Sequence, residues 1–138
     1  MRRLLLLLGL GLASCTTAPQ AGMPDARSQQ ELQQLLAGKT AGKPISCLQS
    51  TYTNDMQIID GRNVAFKQGA RTVYLMHLSE GCHLLGAGGY ALLTHQFGGL
   101  GYCQGDIARV FDTTSRMTVG SCGIEQIVPY SVAGAARY

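Results

Sequence analysis

Two kinds of hydrophobic spacing run along this chain. Leu32, Leu35 and Leu36 recur at the interval of a single helix face. Ser28 and Glu31 precede them, in the arrangement where a serine hydroxyl takes the N3 amide and a glutamate reaches back. With Gly38 as a stop, this predicts a helix over 28–38. So short a helix is marginal by itself in water, so its leucine stripe is expected to dock on the domain that follows. A partner-binding helix is the alternative.

From Pro44 onward the spacing becomes that of strands. Ser46 to Thr53 reads as a first strand. Met56 to Ile59 and Arg62 to Lys67 flank Asp60-Gly61, a two-residue hairpin signal. After a turn at Gln68-Gly69, Arg71 to Leu78 sets Val73, Leu75 and His77 against Thr72, Tyr74 and Met76. Ser79 to Gly89 reads as a loop or short helical turn, Ala91 to Phe97 as a strand and Gly98 to Gly101 as a loop. Ile107 to Asp112 and Arg116 to Cys122 form two strands about Thr113-Thr114-Ser115. Glu125 to Val128 reads as a last strand halted by Pro129, and 131–138 as a frayed tail. The expected fold is mainly β: a small antiparallel sheet or half-open barrel with a short N-terminal helix.

The first residues follow a third pattern. Met1-Arg2-Arg3 leads into the apolar run Leu4 to Leu12 and the small residues Ala13 and Ser14. This is the layout of a secretory signal, and the run is far short of the roughly 20 apolar residues that span a bilayer. Leu12-Ala13-Ser14-Cys15 resembles the lipobox of bacterial lipoproteins. The resemblance implies a signal peptide over 1–14, cleavage before Cys15 and acyl chains such as palmitate on Cys15. Thr16 stands where an aspartate would signal inner-membrane retention. The implied location is therefore the outer membrane, facing the periplasm. Residues 15–27, with Pro19 and Pro24 and little hydrophobic patterning, read as a disordered tether, and 28–130 as the folded domain.

Charge narrows the partners. Once Arg2 and Arg3 leave with the signal, 9 of the 11 basic residues face 8 acidic ones, a net charge of +1. Nucleic acid is not an expected partner, because its affinity is built from many phosphate contacts. The membrane, through the lipid on Cys15, and an envelope protein are the expected ones.

Of the five cysteines, Cys15 is assigned to lipid. Cys47, Cys82, Cys103 and Cys122 remain, and an even number in an exported chain reads as two disulfides. Each would contribute on the order of 3 kcal/mol. Folding about Thr113 to Ser115 is expected to bring Cys103 to Cys122, leaving Cys47 for Cys82.

Gly42-Lys43-Pro44-Ile45-Ser46-Cys47-Leu48, Gly81-Cys82, Cys103-Gln104-Gly105-Asp106 and Gly120-Ser121-Cys122-Gly123 resemble the four-cysteine pattern of a family of small uncharacterised Gram-negative lipoproteins, a domain of unknown function. The resemblance spans 28–130. It implies the compartment and the stapled domain, and supplies no activity and no catalytic residues.

Chemistry-bearing residues are sparse. Cys82 and His83, with His95 and Cys103 downstream, could act as metal ligands or as a thiol-imidazole pair, but only with unpaired cysteines. No C-x2-C spacing is present, so disulfide use is the expectation, with no metal and no cofactor. Gly86 to Gly89 lacks phosphate-loop spacing. Asp106 and Asp112 bracket a strand and read as turn residues. Tyr74, Tyr90, Tyr102 and Tyr130 read as half-buried packing residues or a binding face. If the barrel mouth at Gly86 to Gly101 takes a small molecule, His83, Tyr90, His95 and Tyr102 are the candidate ligands. No catalytic set is recognisable, and a non-enzymatic structural or interaction module is the leading expectation.

Overall fold

The computed structural model describes residues 25–94 and 101–134. The signal, Cys15, His95 and all but the last residues of the tether lie outside the described residues.

Helix α1 (Ala26–Leu36) begins two residues earlier than expected. Asp25 caps it: Oδ1 accepts the Ser28 amide at 2.6 Å. Ser28 therefore sits inside the first turn, and its buried hydroxyl donates to the Ile59 carbonyl at 3.0 Å. Glu31 does not reach back to a cap. Its carboxylate accepts from the Gln57 side chain. The helix thus takes in Ala26 and Arg27, the last residues of the stretch 15–27. Leu32, Leu35 and Leu36 pack on Ile59, Ala65, Val73 and Leu75, the docking that the stripe predicts.

Among the described residues nine strands follow: β1 (Thr40–Ala41), β2 (Cys47–Leu48), β3 (Met56–Ile58), β4 (Asn63–Gln68), β5 (Thr72–Leu78), β6 (Tyr90–Thr94), β7 (Tyr102–Cys103), β8 (Ile107–Asp112) and β9 (Met117–Ser131). The main sheet runs β3-β4-β5-β9-β8-β6, with β1 also on β9; β2 and β7 form a separate ribbon. All pairings are antiparallel. The expected first strand is cut to β2, because a 3-10 turn at Ser50–Tyr52 redirects the chain. That turn lays the Tyr52 ring on Tyr74, with centroids 5.7 Å apart.

The hairpin from β3 to β4 is real, but its turn is longer than two residues. The last pair is Ile58↔Val64, and Ile59 N donates to Asn63 O at 3.0 Å. Asp60 Oδ1 organises the turn by accepting the amides of Arg62 and Asn63 at 2.7 and 2.8 Å. Gly61 serves close approach here: a Cβ on it would stand 2.6 Å from the His83 Cα.

The strands expected at 116–122 and 125–128 are one continuous element, β9. Its first half pairs with β8 and its second half with β5. Pro129 does not end it. Gly42 N donates to Pro129 O at 2.7 Å, so the backbone of Pro129 faces the short edge strand β1. Its missing N–H therefore falls outside the β5 ladder. Ser131 still pairs with Thr72, and Val132 N donates to Arg71 O at 3.1 Å, so 131 belongs to the sheet rather than to a frayed tail.

The register of β9 slips twice. Glu125 lies unpaired between Ile124↔Leu78 and Gln126↔His77, and Val119 lies between Thr118↔Phe111 and Gly120↔Val110. An extra residue bends a strand and increases its twist, and the sheet curls into a half-barrel about these points. Phe66, Met76, Leu78, Leu92, Val110 and Ile124 fill the concave side, closed by Leu48 and Leu85. Along β5, Met76 and Leu78 face this core while Val73 and Leu75 face the helix. The fold is thus the expected curled antiparallel sheet with one short helix and two disulfides.

Candidate functional site

The cysteines settle first what chemistry is open. Cys47 is bonded to Cys103 with Cα atoms 4.0 Å apart, and Cys82 to Cys122 at 5.5 Å. The expected pairs, Cys47–Cys82 and Cys103–Cys122, are not formed. Cys103 does not stand at the base of the β8–β9 hairpin. It lies in β7, directly opposite Cys47 of β2. Asp106 secures the reversal between β7 and β8 by accepting the Cys103 amide at 2.9 Å. Cys122, opposite Ala108 on β8, turns into the core. There it meets the segment that leaves β5. A Cβ on Gly81 would stand 2.2 Å from the Ser121 carbonyl oxygen, a contact only glycine permits, and Gly81 takes φ +113°. That contact delivers the next residue, Cys82, to Cys122.

Both cysteines of the suggested thiol or metal cluster are therefore engaged in disulfides. His83, next to Cys82 in the chain, is exposed. Among the described residues, no three His, Cys, Asp or Glu side chains gather in a way that could hold a metal ion. Tyr90 and Tyr102 pack against the core, and the Tyr102 ring lies 5.1 Å from Phe66. No hydrogen bond or ring contact joins His83, Tyr90 and Tyr102 among the described residues. Asp106 and Asp112 stand at opposite ends of β8, about 20 Å apart. Each is occupied by backbone amides: Asp106 by Cys103, and Asp112 by Thr114 at 2.8 Å and Ser115 at 3.2 Å.

What the fold does assemble is a polar chain across the β3–β4 turn and β5. Both carboxylate oxygens of Asp60 accept from Asn63 Nδ2, at 3.1 and 2.9 Å. That contact sets the amide the right way round, so Asn63 Oδ1 faces His77 Nδ1 at 3.0 Å. His77 Nδ1 must then carry the proton. In the neutral ring Nε2 keeps its lone pair. Burial holds the His77 pKa below its ordinary value, against the opposing pull of Glu125 and Asp60, while Arg62 lowers it further. The result is an oriented imidazole, its neutral form favoured by burial, next to the Glu125 bulge. Among the described residues no hydroxyl is bonded to it as a nucleophile, so the chemistry it offers is proton or hydrogen-bond acceptance at one atom.

Sequence reasoning placed His77 on a strand and left Asn63 without a role. The signal was nevertheless there. Once Gln68 pairs with Thr72 across the turn, the antiparallel register makes Asn63 the partner of His77.

Among the described residues no helix is long and apolar enough to cross a membrane. No curated protein matches the chain, and no solved structure does. One family profile matches residues 1–138 from end to end, and the chain belongs to that family, described as a family of unknown function (DUF6491).

Proposed function

We propose that this protein is a lipid-anchored lipoprotein of the cell envelope, held in the outer membrane through Cys15 and facing the periplasm. In this reading it is a structural or interaction module without catalytic activity of its own, and its partners are the membrane and an envelope protein. The observation that carries the reading is the pairing of cysteines. Cys47, Cys82, Cys103 and Cys122 are consumed by one another. Of the five cysteines in the sequence, the one left over is Cys15, at the end of Leu12-Ala13-Ser14. Two disulfides in so small a domain suit an oxidising compartment. An acylated Cys15 carrying two or more chains would remain on the bilayer, since a single chain binds only reversibly.

The test is metabolic labelling with a palmitate analogue, followed by mass spectrometry of the N-terminal peptide and membrane fractionation. The expected result is a mature chain beginning at acylated Cys15 in the outer-membrane fraction. Cys15→Ser should abolish the label and the processing. A processed, membrane-bound Cys15→Ser protein would overturn the assignment.

A further inference from the structure

The two disulfides stand in opposite settings. Cys82 and Cys122 are 0% and 4% exposed and belong to the core. Cys47 is exposed and Cys103 half-buried. The cause lies in the ribbon of β2 and β7, which holds two residue pairs, Cys47↔Cys103 and Leu48↔Tyr102. Neighbouring side chains of a strand point to opposite sides. Leu48 is buried in the core and Tyr102 lies on Phe66, so the cysteine pair is turned outward.

The ribbon is a sheet of its own, and the chain beside each of its strands is tied to β9 separately. On the β2 side, Ile45 N donates to Ile127 O at 2.9 Å. On the β7 side, Gly105 N donates to Ile124 O at 2.8 Å, and Ile124 N donates to Asp106 O at 2.9 Å. Breaking the Cys47–Cys103 bond would therefore leave both strands attached. Little else joins them to each other beyond their two-pair ladder and the bond from Gln104 N to Ser46 O at 2.7 Å. A thiolate can approach Cys47 from solvent, whereas the Cys82–Cys122 sulfurs are reached only by opening the core. Access is one of the factors that decide which disulfide exchanges with a thiol, and exposed bridges are the labile ones.

We propose that Cys47–Cys103 is a reducible disulfide exchanged by a protein dithiol, and that its reduction loosens the β2–β7 ribbon over the core while Cys82–Cys122 keeps the sheet closed. The donor is of the Cys-x-x-Cys class, in which one thiol attacks and its neighbour completes the exchange. The donor thiolate attacks the Cys47 sulfur and forms a mixed disulfide. The Cys47–Cys103 bond breaks, and Cys103 leaves as a thiolate and takes up a proton. The donor's second thiolate then attacks its own partner sulfur in the mixed disulfide and releases Cys47, which is protonated in turn. Two electrons and two protons pass to the chain, and the donor ends as a disulfide. The proposal goes beyond the lipid-anchor reading and does not depend on Cys15.

The test uses the full chain with Cys15→Ser in detergent, so that no third thiol reshuffles the bridges. It would be equilibrated in dithiothreitol redox buffers, quenched in acid, alkylated and read by peptide mass spectrometry. Half-reduction of Cys47–Cys103 is expected at a dithiol-to-disulfide ratio at least about tenfold below that needed for Cys82–Cys122. Reduction of both bridges together, or of Cys82–Cys122 first, would overturn the proposal. Thioredoxin without its second cysteine is the protein probe, and it is expected to be trapped on Cys47. The absence of an adduct, or an adduct on any other cysteine, would count against it in the same way.

Hydrogen exchange reads the loosening. In Cys47→Ala/Cys103→Ala, amides 46–48 and 102–104 should exchange roughly tenfold faster than in the parent, with β5 and β9 unchanged. Unaltered exchange in the ribbon would show that the bridge holds nothing closed. Lost protection throughout β5 and β9 would make it a staple of the whole domain. Either result overturns the switch.

Discussion

On the arm built from β3, β4, β5 and the second half of β9, Val73 and Leu75 point outward and are buried under Leu32, Leu35 and Leu36 of the helix. On the arm built from β6, β8 and the first half of β9, Leu93 and Ile107 also point outward, and they stay 49% and 56% exposed. The concave sides of the two arms share a single core. The difference is one helix, which reaches only one arm. It also extends to charge, since Arg62 and Lys67 have carboxylate partners while Arg109 and Arg116 have none among the described residues. A sheet covered on both faces is finished for stability. Among the described residues no helix packs on the outer face of the other arm.

Four measurements would break or sharpen this contrast. The largest effect is expected where the arms are tied together. Cys82–Cys122 closes a separation of 40 residues and is buried in the shared core. Replacing both cysteines by alanine should lower stability in urea unfolding by about 4 kcal/mol. A loss below about 1 kcal/mol would mean that packing around Gly81 and Ser121 holds the segment without the bridge.

Next come matched truncations on the two outer faces. Leu75→Ala should cost about 3 kcal/mol, as a core cavity does. Leu93→Ala should stay within about 0.5 kcal/mol, as an exposed substitution does. Equal costs would show that the second arm is covered after all.

A smaller effect is expected at the join between helix and sheet. Ser28→Ala leaves the Ile59 carbonyl without its buried donor. About 1 kcal/mol should be lost, read by thermal unfolding. Helix content should be kept, because Asp25 rather than Ser28 is the cap.

The smallest effect is a pH dependence on the covered arm. Burial lowers the His77 pKa in the folded protein. The unfolded chain therefore binds the proton more readily, and stability rises with pH across that window. His77 should cost nothing above its ordinary value near 6.5 and weaken the fold as pH falls below it. Tm measured from pH 7.5 to 5 should decline, and the decline should be shallower in His77→Gln. An unchanged slope would remove His77 as its source.

Much of the fold was legible because it is local. The stripe Leu32, Leu35, Leu36 marks a docked helix, and the alternation through Val73 to Leu78 marks a strand packed on both sides. The errors share a cause as well. Ser28 resembles a cap, yet Asp25 takes that place because the Ser28 hydroxyl is needed by Ile59, which lies 31 residues away. Pro129 resembles a stop, yet it is tolerated because its missing N–H faces the short edge strand β1. In each case a distant neighbour decided between two local readings. The Asp60–Asn63–His77 chain was within reach of the sequence, through the hairpin register, but the burial that lowers the His77 pKa was not.

By itself the sequence determined the strand-rich domain, its helix, the even number of cysteines available to staple it and the lipobox-like start. These depend on spacing along the chain, where the periods of helix and strand are set by backbone geometry. Only the tertiary structure decided which cysteines meet and which sheet face the helix covers. Four cysteines allow three pairings, and the selection lies in contacts distant in sequence: β2 beside β7, and Gly81 against Ser121. Such contacts are made when the sheet curls, and no local pattern encodes how far two bulges in β9 will bend it.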